Sequence, residues 1–184
     1  FASGLIALTT QTNPEEGGGS LGLPVVEIGH PLDPENSYYV DNDNVQAGYV
    51  ATRHLLARGH RRILFLGYDK RFFMMENRLK GFRQAMAEFG APVDEDWIVP
   101  ARMIENTPDF THLGEIFQRA ERPTAVVSMD DPLSIGLSGF LNTLSLTVPG
   151  DVSIVSFNNT QVGQYHTPAL TSIDVNPREL GMRA

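Results

Sequence analysis

The stretch Val40–Tyr68, VDNDNVQAGYVATRHLLARGHRRILFLGY, constrains the fold of this chain most. Asp41 to Asn44 are short polar residues suited to a helix N-cap, because their side-chain oxygens can accept from the open N–H groups of a first turn. Ala47, Ala51 and Leu55, flanked by Val50 and His54, recur at helical spacing. Arg58 falls in the last turn, and Gly59 follows where a left-handed residue closes a helix cheaply. Ile63–Leu66 is then a continuous apolar run ending at Gly67, the pattern of a strand covered on both faces. A helix feeding such a strand is part of a parallel α/β unit. Ligand chemistry in that architecture gathers at the C-terminal strand ends, here Gly67-Tyr68.

The rest of the chain repeats this alternation. Gly4–Leu8 reads as a short buried strand and Pro24–Gly29 as the next strand, separated by Thr9–Gly22 with its flexible Gly17-Gly18-Gly19-Ser20 run. Parallel neighbours would need a helix between them, which that run does not suit. His30–Ser37 is a Pro-rich loop and Tyr38–Val40 a brief strand. Tyr68–Met75 reads as a loop holding Phe72, Phe73 and Met74, with a helix from about Asn77 to Gly90 behind it. Trp97–Val99 is expected as a strand, Thr107-Pro108-Asp109 as the opening of a helix, and Thr124–Met129 as a strand. Asp130-Asp131-Pro132 caps a helix running to about Ser145. Val152–Phe157 is a strand, Asn158–Thr167 a polar loop and Leu170–Val175 extended. Asn176-Pro177-Arg178-Glu179 carries an N-cap, a proline at the first helical position and a capping-box Glu. Strands alternating with helices predict an α/β protein with parallel sheets and right-handed crossovers.

Composition narrows the chemistry. The absence of cysteine among 184 residues excludes a disulfide scaffold, a thiolate metal site and a cysteine nucleophile. A net charge of −8 argues against direct binding of nucleic acid by these residues, since a duplex is a dense polyanion. No apolar run approaches the roughly 18 residues of a membrane span. Phe1–Thr10 is apolar but lacks the basic flank of a signal peptide. Phe1 in place of Met, and a helix still open at Ala184, suggest truncation at both ends.

Leu66-Gly67-Tyr68, Met129-Asp130-Asp131 and Phe157-Asn158-Asn159 end three strands in polar or aromatic residues. A parallel sheet brings these ends to one edge, beside helix N-termini and Arg78. Carboxylates and amides there suit sugar hydroxyls or an amine, Arg78 supplies a planar donor fork, and aromatic faces stack on sugar C–H groups or a base. Plainer readings compete: Asp130 or Asp131 as a simple cap, Arg78 as a solvated residue, Phe72–Met75 as a packed loop, and His54 and His60 as structural groups. His30, His112 and His166 show no metal-ligand spacing, and no P-loop, G-x-S-x-G or H-E-x-x-H motif occurs. Adjacent carboxylates do not make a glycosidase pair, which must flank a bond. The constellation binds rather than reacts, so neither enzyme activity nor a cofactor is expected.

Six segments carry a resemblance: LPVVEIGHP, YYVDNDNVQAGYVATRHLLARGHRRILFLG, NRLKGFRQAMAEFG, RPTAVVSMDDPLSIG, VPGDVSIVSFNN and TPALTSIDVNPRELGMRA. Together they span nearly all of Leu21–Ala184, and the chain resembles the effector-binding core of LacI/GalR-type transcription regulators, a fold shared with periplasmic sugar-binding proteins. The resemblance implies two Rossmann-like lobes with parallel sheets: 1–40 part of the first, 41–171 most of the second, 172–184 crossing back. It implies a sugar effector in the cleft, a mono- or disaccharide. Arg78 of R-L-K-G-F, Asp130 and Asn158 would grip it, with Met74 and His30 facing it and Phe72, Tyr68 and Phe157 supplying aromatic lining. It further implies a cytoplasmic homodimeric repressor that meets operator DNA through a separate helix-turn-helix and has no membrane partner. The last cleft position is often Asp in this family and is Asn158 here, so the hydroxyl pattern read there differs. The apolar Phe72–Met75 segment suits a disaccharide or an aromatic-bearing effector. A sugar-binding receptor of an ABC-type transporter is the competing class, distinguished by a signal peptide in place of a helix-turn-helix.

Overall fold

The computed structural model describes residues 3–8, 23–31, 33–68, 73–105 and 107–184. The expected loop over Thr9–Gly22, including the Gly-rich run, lies outside them, as does Phe72. The chain divides into two compact units, Phe1–Asp43 with Asn176–Ala184, and Asn44–Val175.

The first unit holds a three-stranded parallel sheet in the order β1 (Leu5–Leu8), β2 (Val25–Ile28), β3 (Tyr38–Val40). Its terminal helix, which we label α6 (Pro177–Arg183), starts as the sequence predicts. Asn176 is left-handed at φ 45°, and its side chain accepts from the Glu179 N–H at 3.3 Å.

The second unit is built on a five-stranded parallel sheet. Its strands in chain order are β4 (Ile63–Gly67), β5 (Ile98–Pro100), β8 (Ala125–Ser128), β9 (Ser153–Phe157) and β10 (Thr171–Ile173). In space they run β10-β9-β8-β4-β5. β4 and β8 are buried along their whole length, as unbroken apolar runs demand of strands covered on both faces. Helices α1 (Asn44–Leu56), α2 (Phe73–Glu88) and α4 (Asp131–Thr143) carry the cover. Gly59 and Gly90 lie at φ 90° and 59° just past α1 and α2, as the sequence predicts for their stops.

α1 and α2 approach unusually closely. A Cβ built on Gly48 would run into the Arg78 carbonyl, and one on Gly81 into the Val45 carbonyl. Glycine at both positions lets the two backbones meet, and this sets where Arg78 stands.

Several local expectations are corrected. α2 begins at Phe73, so Phe73, Met74 and Met75 form its first turn rather than a loop. Glu76 in that turn favours the helix N-terminus electrostatically, and methionine is a good helix former. Glu95–Trp97 is a 3-10 turn capped by Asp94, so the strand begins at Ile98 rather than Trp97. Thr107–Asp109 is a strand, β7, paired antiparallel with β6 (Arg102–Ile104), and does not open a helix. The Asp109 carboxylate accepts from the Thr111 N–H and hydroxyl at 3.0 Å, an Asx turn that postpones the helical turns to Thr111–Leu113 and α3 (Gly114–Gln118). The polar segment after β9 contains a short helix, α5 (Gln161–Tyr165).

Candidate functional site

Arg78 is the hub of the predicted set. It sits on α2 and is 4% exposed, so the solvated-surface reading of this side chain fails. Nε donates to the Asn44 side-chain oxygen at 3.0 Å, and Nη1 donates to the Met129 carbonyl at 3.0 Å. The guanidinium lies over the Phe157 ring. A buried guanidinium needs such partners, because desolvation is otherwise prohibitive. Arg78 thus reaches the C-terminal ends of both β8 and β9, where Asp130 and Asn158 follow.

Asp130 is the N-cap of α4. Its Oδ1 accepts from the Leu133 N–H at 2.8 Å, and its Oδ2 accepts from the Tyr68 hydroxyl at 2.6 Å. Burial, then the hydrogen bond to Asp130, pushes the Tyr68 phenol well above its ordinary range, so Tyr68 stays a neutral donor. The cap and the binding readings of Asp130 therefore coexist: one oxygen serves the helix while the other meets a phenol at the strand edge.

Phe157 is fully buried as the floor beneath Arg78. Asn158 follows at φ 90°, and its N–H donates to the Ile173 carbonyl of β10 at 2.9 Å. Asparagine tolerates this left-handed backbone better than most residues. Met74 lies in the first turn of α2 and is 44% exposed. His30 belongs to the first unit, where its ring meets Tyr39 edge-on at 5.6 Å.

The geometry therefore gathers Arg78, Tyr68, Asp130 and Phe157, with Asn158 next along the chain. Sequence reasoning missed Asn44 and Met129 as partners of Arg78. Asn44 reads in sequence as a helix-cap residue, and the use of a backbone carbonyl leaves no trace in residue type. A cavity of about 750 Å³ lies along α2 and β5, lined among others by Met75, Leu79, Lys80, Ile98 and Pro100; of the candidate residues it touches Tyr68. Among the described residues no His, Asp and Glu side chains cluster as a metal site would require, and no helix is long and apolar enough to cross a membrane.

The chain matches the periplasmic binding protein-like domain family over residues 52–184. It is 34% identical over 145 residues to the HTH-type transcriptional repressor PurR of Vibrio parahaemolyticus, a match covering 79% of this chain and 43% of that protein. It is also similar to the solved transcriptional regulator CelR–cellobiose complex, with a TM-score of 0.81, 26% identity, 98% of this chain and 56% of that one. A sugar-binding transcriptional regulator of the LacI family from Escherichia coli, solved with phosphate, matches with a TM-score of 0.74 and 25% identity, over 85% of this chain and 56% of that one. The chain spans about half the length of the curated relatives it matches.

Proposed function

The chain belongs to the periplasmic binding protein-like domain family, as an effector-binding domain of the LacI type, and from this premise we propose that it is the sugar-sensing core of a transcriptional repressor. The effector is a mono- or disaccharide. Asp130 and Asn158 read its hydroxyls, Arg78 and Phe157 support them, and Tyr68 and Met74 complete the lining. The observation that carries this reading is the placement of Arg78, hydrogen-bonded at the end of β8 and stacked at the end of β9. That placement converges a cation, a carboxylate and an amide on the strand ends where parallel α/β folds bind ligands. The cellobiose of the CelR complex and the sugar-binding character of the Escherichia coli regulator support a sugar over other small molecules.

Occupancy would be passed to operator DNA through a separate helix-turn-helix, within a cytoplasmic homodimer. The coupling is as large as the effector's differential affinity for the two conformations of the protein, and no larger. Calorimetric titration with cellobiose and with its component glucose tests the proposal. Binding of either at one site per chain, weakened in Asp130→Asn and Asn158→Ala, is the expected result. No heat from a broad panel of mono- and disaccharides would sink the sugar assignment.

A further inference from the structure

The second carboxylate after β8 takes different partners from the first. Asp131 is wholly buried. Its Oδ2 accepts from the Thr160 N–H at 2.6 Å and the Thr160 hydroxyl at 2.7 Å, and its Oδ1 accepts from the Ser172 hydroxyl at 2.9 Å. The Ser172 oxygen accepts in turn from the Asn159 N–H at 3.0 Å. Asn158 and Asn159 both adopt left-handed backbone, at φ 90° and 47°. Such conformations persist in non-glycine residues when the surroundings over-determine them. Gly163 of α5 packs directly on the carboxylate, since a Cβ there would stand 2.9 Å from Asp131 Cγ and Oδ2. One side chain therefore joins the start of α4, the turn between β9 and α5, and β10.

We propose that Asp131 is a positioning residue of the effector site: it locks the turn bearing Asn158 against the helix start bearing Asp130, and ties both to β10. The proposal rests on the reading of Asp130 and Asn158 as effector contacts. Burial pushes the Asp131 carboxyl up, but hydrogen bonds from Ser156, Thr160 and Ser172 outweigh it and hold the group below its ordinary value. It therefore remains a carboxylate that accepts on both oxygens. This arrangement presets the spacing of the recognition groups before any effector arrives, so less ordering is needed on binding. The clamp also links the site to the segment by which the chain leaves this unit, because β10 is followed within a few residues by Asn176.

Asp131→Asn tests the clamp without an effector. An amide offers one acceptor oxygen, so it cannot serve both Thr160 and Ser172, and its NH2 faces one of those donors. Amide hydrogen exchange at Asn158, Asn159 and Thr160 is expected to rise about tenfold or more, while β4 and β8 keep their protection. Ser172→Ala is the gentler second variant and should release Asn159 while sparing Thr160. Unchanged exchange at these turn amides, or an even rise that includes β4 and β8, would overturn the proposal. Calorimetry on the same proteins separates the two readings. Where the wild type binds cellobiose, Asp131→Asn should weaken it about tenfold with the recognition side chains intact, and unaltered affinity would overturn the positioning role. A wild type that binds no sugar removes the sugar assignment, while turn-localised exchange still upholds the clamp.

Discussion

The guanidinium carbon of Arg78 lies 4.1 Å from the centre of the Phe157 ring. Stacking over an aromatic face stabilises a cation most where water is excluded, and both residues are buried here. Phe157 is the last residue of β9, so this contact pins α2 to the strand end that precedes Asn158.

Arg78→Ala is therefore expected to do more than remove a ligand contact. It strips the Asn44 side chain and the Met129 carbonyl of a buried donor and leaves a void above Phe157. The expected loss of stability is about 2–4 kcal/mol. Arg78→Lys keeps the charge but not the fork, and should lie between wild type and alanine. Urea midpoints check this, and a midpoint unmoved by Arg78→Ala would show that the hydrogen bonds contribute nothing net.

The approach of α1 to α2 predicts an asymmetry among helical glycines. Gly48→Ala and Gly81→Ala each force a methyl into a facing backbone carbonyl. Each should destabilise by about 1–3 kcal/mol or more, since backbone cannot move aside as a side-chain tip does. Gly139 of α4 faces nothing within 4 Å, so Gly139→Ala should instead stabilise by about 0.5–1 kcal/mol. Thermal denaturation of the three variants side by side reads the sign of each change.

Much of this second unit was legible in the sequence, for reasons that differ by residue. Ile63–Leu66 and Ala125–Ser128 are apolar throughout because they are covered on both faces, and that pattern survives in one dimension. Gly59 and Gly90 announce helix ends because the left-handed backbone required there restricts residue type. The placement of Arg78 was not legible in detail. Its partners Asn44 and Met129 are 34 and 51 residues away, and a long cationic side chain ordinarily reads as surface. Thr107-Pro108-Asp109 misled because it has the residue types of a helix opening, while its pairing with Arg102–Ile104 decides the structure.

Acid should reduce stability in two separate windows. His54, His60 and His112 sit below the ordinary imidazole value of 6.5, chiefly through burial. The unfolded chain takes up these protons first, so the stability they contribute is present above pH 6.5 and is lost as pH falls toward their folded values. Asp131 is held below 3.8 in the folded chain, and its contribution is present above that pH and lost as pH falls through the folded value. His60→Gln should flatten part of the first decline and Asp131→Asn part of the second. A series of urea midpoints against pH checks both, and stability that does not fall from pH 6.5 downward would contradict the histidine assignment.

Asp130 offers a cleaner separation of binding from folding than Arg78 does. Its Oδ1 caps α4 through the Leu133 N–H, and its Oδ2 meets the Tyr68 hydroxyl. Asparagine is as good an N-cap as aspartate, and its NH2 can donate to a phenol oxygen that has turned its hydrogen away. Asp130→Asn should therefore hold stability to within about 1 kcal/mol, whereas Asp130→Ala should lose about 1–2 kcal/mol with the cap. Sugar binding should fall in both variants, since alanine has no acceptor and asparagine a weaker one. A carboxylate accepting from a hydroxyl is stronger than an amide doing so, and the asparagine variant should lose about tenfold in affinity without loss of fold. Matched denaturation and calorimetry on the two variants separate the effects. Equal affinity of wild type and Asp130→Asn for a sugar that the wild type binds would reduce Asp130 to a helix cap.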